Sequence, residues 1–150
     1  MKGFILTMSG IVPTEWIDKN GHMNVTSYMA LFDHGTDVLL QESGLVVSGA
    51  DSDITVVAGR ISIEHRKELL EGEEWELWSG FAAIHPSFMT VTHRLRSGTA
   101  LRAICDIRGA AFSKCMRTTV ILDQESLCKA RKLLVPGLAD RFAQNNGASA

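Results

Sequence analysis

The chain is poor in cysteine and in aromatic residues, and each shortage excludes a class of protein. Its three cysteines, Cys105, Cys115 and Cys128, are odd in number and show no Cys-x-x-Cys spacing. A disulfide-stapled scaffold or a zinc ribbon needs paired cysteines, so neither is expected. Aromatic residues make up 7% of the chain and are not interleaved with basic ones, which disfavours a nucleic-acid-binding surface. We therefore expect a reduced, cytoplasmic protein that binds no nucleic acid.

Long apolar runs and clustered histidines are also missing. No stretch is apolar over the roughly 20 residues that a membrane-spanning helix needs. The apolar run within residues 1–8 is too short for a secretory leader, and no small-residue cleavage site follows it. The five histidines have no tight ligand spacing, which makes a metalloenzyme the least favoured class. The sequence predicts no membrane segment and no metal.

Its length of 150 residues and its 45% hydrophobic content predict one compact domain over residues 1–150.

The most informative segment of the sequence runs from residue 18 to residue 44. Apolar residues at spacings of three and four predict a helix over residues 24–43, with Asn24 as N-cap and Gly44 as the terminating residue. The predicted core stripe consists of Tyr28, Leu31, Phe32, Gly35, Val38 and Leu39. Residues beside this stripe are apolar too, so the helix should be largely buried.

Polar groups precede this helix in the run Asp18-Lys-Asn-Gly21-His22-Met-Asn24. A helix start has unpaired N–H groups and partial positive charge, which polarise a carbonyl group and stabilise an oxyanion. Asp18 could attack such a carbonyl or activate water, and Gly21 allows a ligand to approach the backbone. These groups are suited to cleaving an acyl bond, although each alone also fits an ordinary turn and helix cap.

The rest of the chain has strand-like patterns separated by short turns. A first strand is predicted at residues 9–15, where Pro13 favours an edge or a bend. After a polar loop at 48–53, four strands are predicted at 54–65, 73–84, 88–96 and 101–114. A helix at 123–134 and a disordered end at 145–150 follow. This order predicts an α+β fold in which a long antiparallel sheet wraps around a central helix.

The loop and the helix also resemble a known family. The pattern Trp16-x-Asp18-x-Asn20-Gly21-His22-Met23-Asn24-x-x-x-Tyr28-x-x-x-Phe32, ending in Gly44, resembles the corresponding region of hotdog-fold acyl-CoA thioesterases. The broad match is to the 4-hydroxybenzoyl-CoA thioesterase type, and Asn-Gly-His-Met-Asn is similar to the betainyl-CoA thioesterase branch. The resemblance implies the hotdog fold. It also places Asp18 on the family's catalytic aspartate, three residues before the glycine.

The implied reaction is hydrolysis of a small acyl-CoA, with coenzyme A as part of the substrate and no metal or redox cofactor. Backbone N–H groups near His22 and Met23 would bind the thioester carbonyl. Asp18 would activate water or attack directly to form an anhydride. His22 and Asn24 would orient the thioester or tune Asp18, although a loop-fixing hydrogen bond is an equal alternative for His22.

Other site residues are predicted around this centre. Gly21 and Met23 would contact the substrate, while Tyr28 and Phe32 would line the acyl pocket or simply pack in the core. Glu64 is the candidate for a second acidic group near the site, and its alternative is an outward-facing strand residue.

Charge and exposed sheet edges indicate partners. Hotdog protomers leave sheet edges uncovered, so we expect a homodimer or homotetramer with active sites between protomers. Residues 77–150 contain 10 basic and 4 acidic residues, against 5 and 13 in residues 1–76. The basic strand residues are candidates for the phosphates of coenzyme A, or else form a solvated strand face. They are Arg94, Arg96, Arg102, Arg108, Lys114 and Arg117.

The acyl group and two other functions stay open. The betainyl-type pattern suggests a short cationic acyl chain, which Asp33, Asp37 and Glu64 could attract. Hotdog hydratases and dehydratases are typified by an Asp-x4-His arrangement at the helix start. In this chain only three residues separate Asp18 from His22. A non-catalytic acyl-CoA-binding protein is favoured if Asp18 points away from the pocket or if Met and Phe side chains fill the pocket.

Overall fold

One antiparallel sheet packed against one long helix forms the fold. The computed structural model describes residues 1–45 and 53–143. Six strands lie in this part of the chain: β1 (Ile5–Ile11), β2 (Ile54–His65), β3 (Glu74–Ile84), β4 (Phe88–Ser97), β5 (Ala100–Ser113) and β6 (Thr118–Thr119). The sheet order is β1-β3-β4-β5-β2, and β6 pairs with β5. β1 and β2 are therefore the edges of the long sheet.

The central helix, α1, spans Val25–Ser43 as the periodicity predicts. The side chain of Asn24 accepts the N–H of Ser27 at 2.8 Å, and Gly44 ends the helix with a φ of 77°. The buried residues of α1 are Tyr28, Leu31, Phe32, Gly35, Leu39, Leu40 and Ser43. The prediction of a largely buried helix is wrong for one face, where Ala30, Asp33 and Asp37 are exposed, because the sheet covers one side of α1 only.

The four long strands agree with the prediction to within one residue at each end. Register shifts interrupt the pairing between Leu6 and Met8 in β1, between Ala58 and Arg60 in β2, and between Phe81 and Ala83 in β3. Such bulges bend strands and increase their twist, which lets a sheet curl around a helix. The predicted α+β hotdog architecture is confirmed.

Two other boundaries differ from the prediction. The first strand lies at Ile5–Ile11 rather than 9–15, because Pro13 begins a short 3₁₀ turn at Thr14–Trp16 instead of continuing the strand. The C-terminal helix, α2, spans only Gln124–Ala130 and passes into a 3₁₀ turn at Arg131–Leu133. Of the predicted loop 48–53 only Asp53 is described, and the predicted disordered end 145–150 lies outside the described residues.

Edge strand β2 exposes apolar side chains. Val57 and Ile61 are 42% and 48% exposed, and the middle of the strand is accessible throughout. Beyond the sheet, no helix within residues 1–45 and 53–143 has the length and apolar character needed to cross a bilayer.

Candidate active site

A closed loop leads from the first 3₁₀ turn into α1. Ile17 and Met23 form an antiparallel bridge, and the N–H of Asp18 donates to the carbonyl of His22 at 3.1 Å. The N–H of Gly21 returns to the carbonyl of Asp18 at 3.0 Å, and Gly21 has a φ of 82°. This left-handed conformation explains the glycine. A Cβ at this position would meet no atom within 4 Å, so the space above Gly21 is open.

The carboxylate of Asp18 is half-buried and partly engaged in this turn. Its Oδ1 accepts the N–H of Asn20 at 2.7 Å. This contact fixes the carboxylate, and no hydrogen bond to its second oxygen is made by residues 1–45 or 53–143. Asp18 itself does not line the cavity described below, although His22, four residues later, does.

Asn24 anchors the start of α1 through its side-chain oxygen, its side-chain nitrogen and its backbone N–H. Its Oδ1 caps Ser27, while its Nδ2 and its backbone N–H both donate to the carbonyl of Trp16, at 2.9 and 2.8 Å. These contacts hold the loop against the helix. A direct catalytic role for Asn24 stays a prediction.

The end of the loop and the first turn of α1 offer open hydrogen-bond donors. Within the described residues, the N–H groups of His22, Val25 and Thr26 have no acceptor. The N–H of Met23, in contrast, donates to the carbonyl of Leu69 at 2.9 Å. The backbone donors available to a ligand are therefore those of His22, Val25 and Thr26 rather than that of Met23.

A cavity of about 310 Å³ lies beside this helix start. It is lined by His22, Met23, Val25, Tyr28, His65, Arg66, Lys67 and Glu68. The ring of His65 meets the ring of Tyr28 edge-on, with 4.7 Å between the ring centroids. Of the predicted site residues, the structure thus brings together His22, Met23 and Tyr28.

The connection between β2 and β3 forms the far wall of this cavity and is tightly braced. Leu69 is fully buried, and its N–H donates to the Tyr28 hydroxyl at 3.3 Å. Arg102, itself buried, donates to the carbonyl of Glu68 at 2.6 Å and pairs with Glu73 at 2.9 Å. The N–H of Leu70 and the guanidinium of Arg102 hold the pKa of Glu73 below its usual value. The wall is therefore held by contacts from both α1 and β5.

Phe32 and Glu64 lie outside the cavity. Phe32 is fully buried and stacks on the ring of His93, so it packs in the core, which was the second of its two predicted roles. Glu64 forms ion pairs with Arg66 at 2.9 Å and Arg141 at 3.2 Å. Side chains alternate along a strand, and because the neighbouring His65 faces α1, Glu64 faces the opposite side of the sheet.

The basic strand residues singled out from the sequence do not reach this cavity. Arg102 and Arg108 are paired with Glu73 and Asp140, while Arg94 donates to the Thr92 hydroxyl and the His93 carbonyl. The basic residues that do line the cavity are Arg66 and Lys67. Both are exposed, and neither was among the candidates chosen from the sequence.

The cavity has a basic rim, formed by Arg66 and Lys67, and a buried phenol, that of Tyr28. Burial raises the pKa of Tyr28, so its hydroxyl stays protonated at neutral pH. Within the described residues, no three His, Cys, Asp or Glu side chains are arranged to hold a metal ion. The site can offer backbone N–H groups, a hydroxyl, two imidazoles and a nearby carboxylate to a ligand.

The sequence matches a protein family profile and a named relative. The sequence profile described as the thioesterase-like superfamily matches residues 12–140. A protein of Ruegeria pomeroyi named L-carnitine dehydrogenase/betainyl-CoA thioesterase is 28% identical over 104 residues. That match covers 66% of this chain, and the chain spans 20% of the length of that relative.

Solved structures share the fold. A predicted thioesterase from Bacillus stearothermophilus superposes with a TM-score of 0.77 at 15% identity, covering 88% of this chain and 98% of that one. A putative thioesterase from Pseudomonas putida gives a TM-score of 0.75 at 18% identity, covering 97% and 90%.

Proposed function

Because the chain belongs to the thioesterase-like superfamily, we propose that it hydrolyses the thioester bond of an acyl-CoA. The observation that supports this most is the open helix start. The N–H groups of Val25 and Thr26 have no acceptor among the described residues, and Val25 lines a cavity large enough for a thioester and its neighbouring atoms. Donors fixed in this way stabilise the oxyanion that forms when a nucleophile adds to a carbonyl carbon.

Asp18 supplies the base or the nucleophile. Its Oδ1 is held by the N–H of Asn20, and its second oxygen has no partner in the described part of the chain. As a base, this oxygen takes a proton from water while the water oxygen bonds to the carbonyl carbon. The C–S bond then breaks, and the thiolate leaves and is protonated. As a nucleophile, the same oxygen forms an anhydride that water hydrolyses.

The coenzyme A portion lies toward the exposed side of the cavity. Arg66 and Lys67 line that side and carry the positive charge that phosphate groups require. Arg66 already pairs with Glu64 at 2.9 Å, so Lys67 is the less compensated of the two. Within this proposal, His22 and His65 flank the entering thioester.

A short acyl group carrying a cation is the preferred substrate class. The Ruegeria pomeroyi relative is named for betainyl-CoA, whose acyl group is a quaternary ammonium. Asp33 and Asp37 line a second, smaller cavity of about 100 Å³ along α1 beside β2, where they could attract such a cation. Glu64, which faces the other side of the sheet, is not part of this lining.

The functional unit is a homodimer or a homotetramer. β2 is a long edge strand with exposed apolar residues, including Val57 and Ile61. Pairing this edge with a second copy would bury them. It would also extend the groove between α1 and β2 across two protomers. A cytoplasmic location stays a prediction.

Release of free thiol from a panel of short, branched, aromatic and betainyl acyl-CoAs tests the activity. The proposal predicts turnover of at least one substrate without added metal. A parallel assay of enoyl-CoA hydration and direct measurement of CoA binding distinguish the alternatives. Hydration without thiol release would point to a hydratase, and binding without either reaction would point to a binding protein.

A further inference from the structure

The hydroxyl of Tyr28 is a buried group whose hydrogen bonds are only half satisfied by the protein. The side chain is 3% exposed, and its oxygen accepts the N–H of Leu69 at 3.3 Å. A tyrosine hydroxyl also has one hydrogen to donate. Within residues 1–45 and 53–143, no acceptor lies within hydrogen-bonding distance for that hydrogen. A buried donor left without an acceptor costs about 1–3 kcal/mol, so this hydrogen is available to water or to a ligand in the adjoining cavity, which Tyr28 lines.

The position of Tyr28 on α1 directs its hydroxyl to the helix start. Tyr28 lies three residues after Val25 and therefore on the same side of the helix. Helical side chains lean toward the N-terminus, which brings the end of a long side chain back over the first turn. Tyr28 and Val25 line the same cavity. The Tyr28 hydroxyl and the open Val25 N–H therefore belong to two residues that line one cavity at the helix start.

We propose that Tyr28 donates its hydroxyl hydrogen to the carbonyl oxygen of the bound thioester, beside the N–H of Val25. This inference rests on the proposed thioesterase function. When the nucleophile adds to the carbonyl carbon, negative charge builds on that oxygen and the hydrogen bond from Tyr28 strengthens. When the C–S bond breaks, the carbonyl re-forms. The hydrogen stays on Tyr28 throughout, so Tyr28 is a catalytic residue that exchanges no proton.

Two further observations fit a donor rather than an acid. Burial raises the pKa of Tyr28, so the hydroxyl keeps its hydrogen over the working pH range. The N–H of Leu69 donates to the hydroxyl oxygen, which polarises the O–H bond and makes it a better donor. Removing one donor from an oxyanion site typically lowers kcat by about 10²-fold to 10³-fold.

Tyr28 is the only tyrosine of the chain, which allows a precise test. Expression of the protein in cells supplied with a fluorinated tyrosine replaces this residue alone. The fluorine lowers the pKa of the phenol with little change in its shape. Ionisation removes the hydrogen that Tyr28 would donate to substrate, yet the phenolate still accepts the N–H of Leu69. Donation to substrate and a purely structural role therefore predict different pH profiles.

The fluorinated and the ordinary protein are compared for kcat/KM against pH. The proposal predicts a new alkaline fall in the fluorinated protein, with a midpoint at its phenol pKa read from the phenolate absorbance. The charged and titratable groups that line the cavity with Tyr28 or act on its pKa are His22, His65, Arg66, Lys67, Glu68, Glu73 and Arg102. They are identical in both proteins, so their titration cancels in the comparison. Activity that is unchanged while the phenol ionises would overturn the proposal.

A binding measurement separates failure of this proposal from failure of the thioesterase function. Tyr28→Phe is titrated with two stable CoA derivatives, a ketone that keeps the carbonyl oxygen and a thioether that lacks it. The proposal predicts weaker binding of the ketone only, with far-UV circular dichroism unchanged. Equal weakening of both ligands, or of neither, would contradict donation to the carbonyl. Absence of thiol release by the wild type on every substrate would instead refute the proposed function.

Discussion

The ring of His93 is joined to the central helix through Thr36, with 2.8 Å between Nε2 and Oγ1. The Thr36 hydroxyl also lies 2.8 Å from the carbonyl of Phe32, and Nδ1 of His93 lies 2.7 Å from the Ser79 hydroxyl. Burial lowers the pKa of His93, so the ring is a neutral imidazole that connects β4 to α1.

This buried histidine predicts acid sensitivity of the fold. Burial lowers the pKa of His93 to about 3, whereas an unfolded histidine titrates near 6.5. Below about pH 6.5 the unfolded chain binds a proton that the folded chain does not, so the free energy of unfolding falls as the pH is lowered toward 3. The contribution of His93 to this slope approaches about 1.4 kcal/mol per pH unit. Urea unfolding at pH 7, 6, 5 and 4 measures it.

His93→Gln provides the matched comparison, because the amide cannot titrate. We expect the variant to be less stable at pH 7 but to lose less stability than the wild type between pH 7 and pH 4. Parallel pH dependences in the two proteins would show that His93 is not the group responsible.

Asn24 should contribute to stability through two separable contacts. Asn24→Ala removes both the cap on Ser27 and the bond to the Trp16 carbonyl, so we expect a loss of about 1–3 kcal/mol. Asn24→Ser keeps an oxygen for the Ser27 N–H but lacks the amide donor, and its loss should be smaller. Chemical denaturation measures both values. An Asn24→Ser variant as unstable as Asn24→Ala would refute the capping assignment.

Lys67 should affect substrate capture rather than chemistry. It lines the cavity, it is exposed, and in this account it meets a phosphate of coenzyme A. Loss of one exposed charge contact of about 1 kcal/mol corresponds to a roughly fivefold rise in KM. We expect Lys67→Ala to show this rise with kcat unchanged, and the effect to shrink at high salt. Lys132→Ala, an exposed lysine away from the cavity, should leave KM unaltered.

Local pattern was enough to predict α1 and the four long strands. The apolar spacing from Tyr28 to Leu39, the Asn24 cap and Gly44 all indicate one helix, and the structure agrees. Alternation also favours one of the two predicted alternatives for Glu64, the outward-facing strand position. Ile63 packs against the core and His65 contacts Tyr28. Because side chains alternate along β2, Glu64 faces away from the helix.

The cavity wall could not be predicted in the same way. Leu69 touches Met23 and Tyr28 through its backbone, and Arg102 reaches Glu68 and Glu73 from a different strand. These contacts depend on how the β2–β3 connection folds back over the helix start. The backbone contacts place no constraint on residue type, and the side-chain contacts of Tyr28 and Arg102 join segments whose proximity the local sequence pattern does not reveal.

The proposed thioester hydrolysis at the start of α1 depends on Asp18. The most direct measurement is kcat/KM for thiol release by Asp18→Asn, compared with Glu15→Gln, an exposed acid in the preceding turn. Asparagine keeps an oxygen for the Asn20 N–H, so the loop should survive while the base or nucleophile is lost. We predict a fall of about 10²-fold to 10⁴-fold for Asp18→Asn and none for Glu15→Gln. A folded Asp18→Asn protein with the same kcat/KM as the wild type would contradict a catalytic role for Asp18.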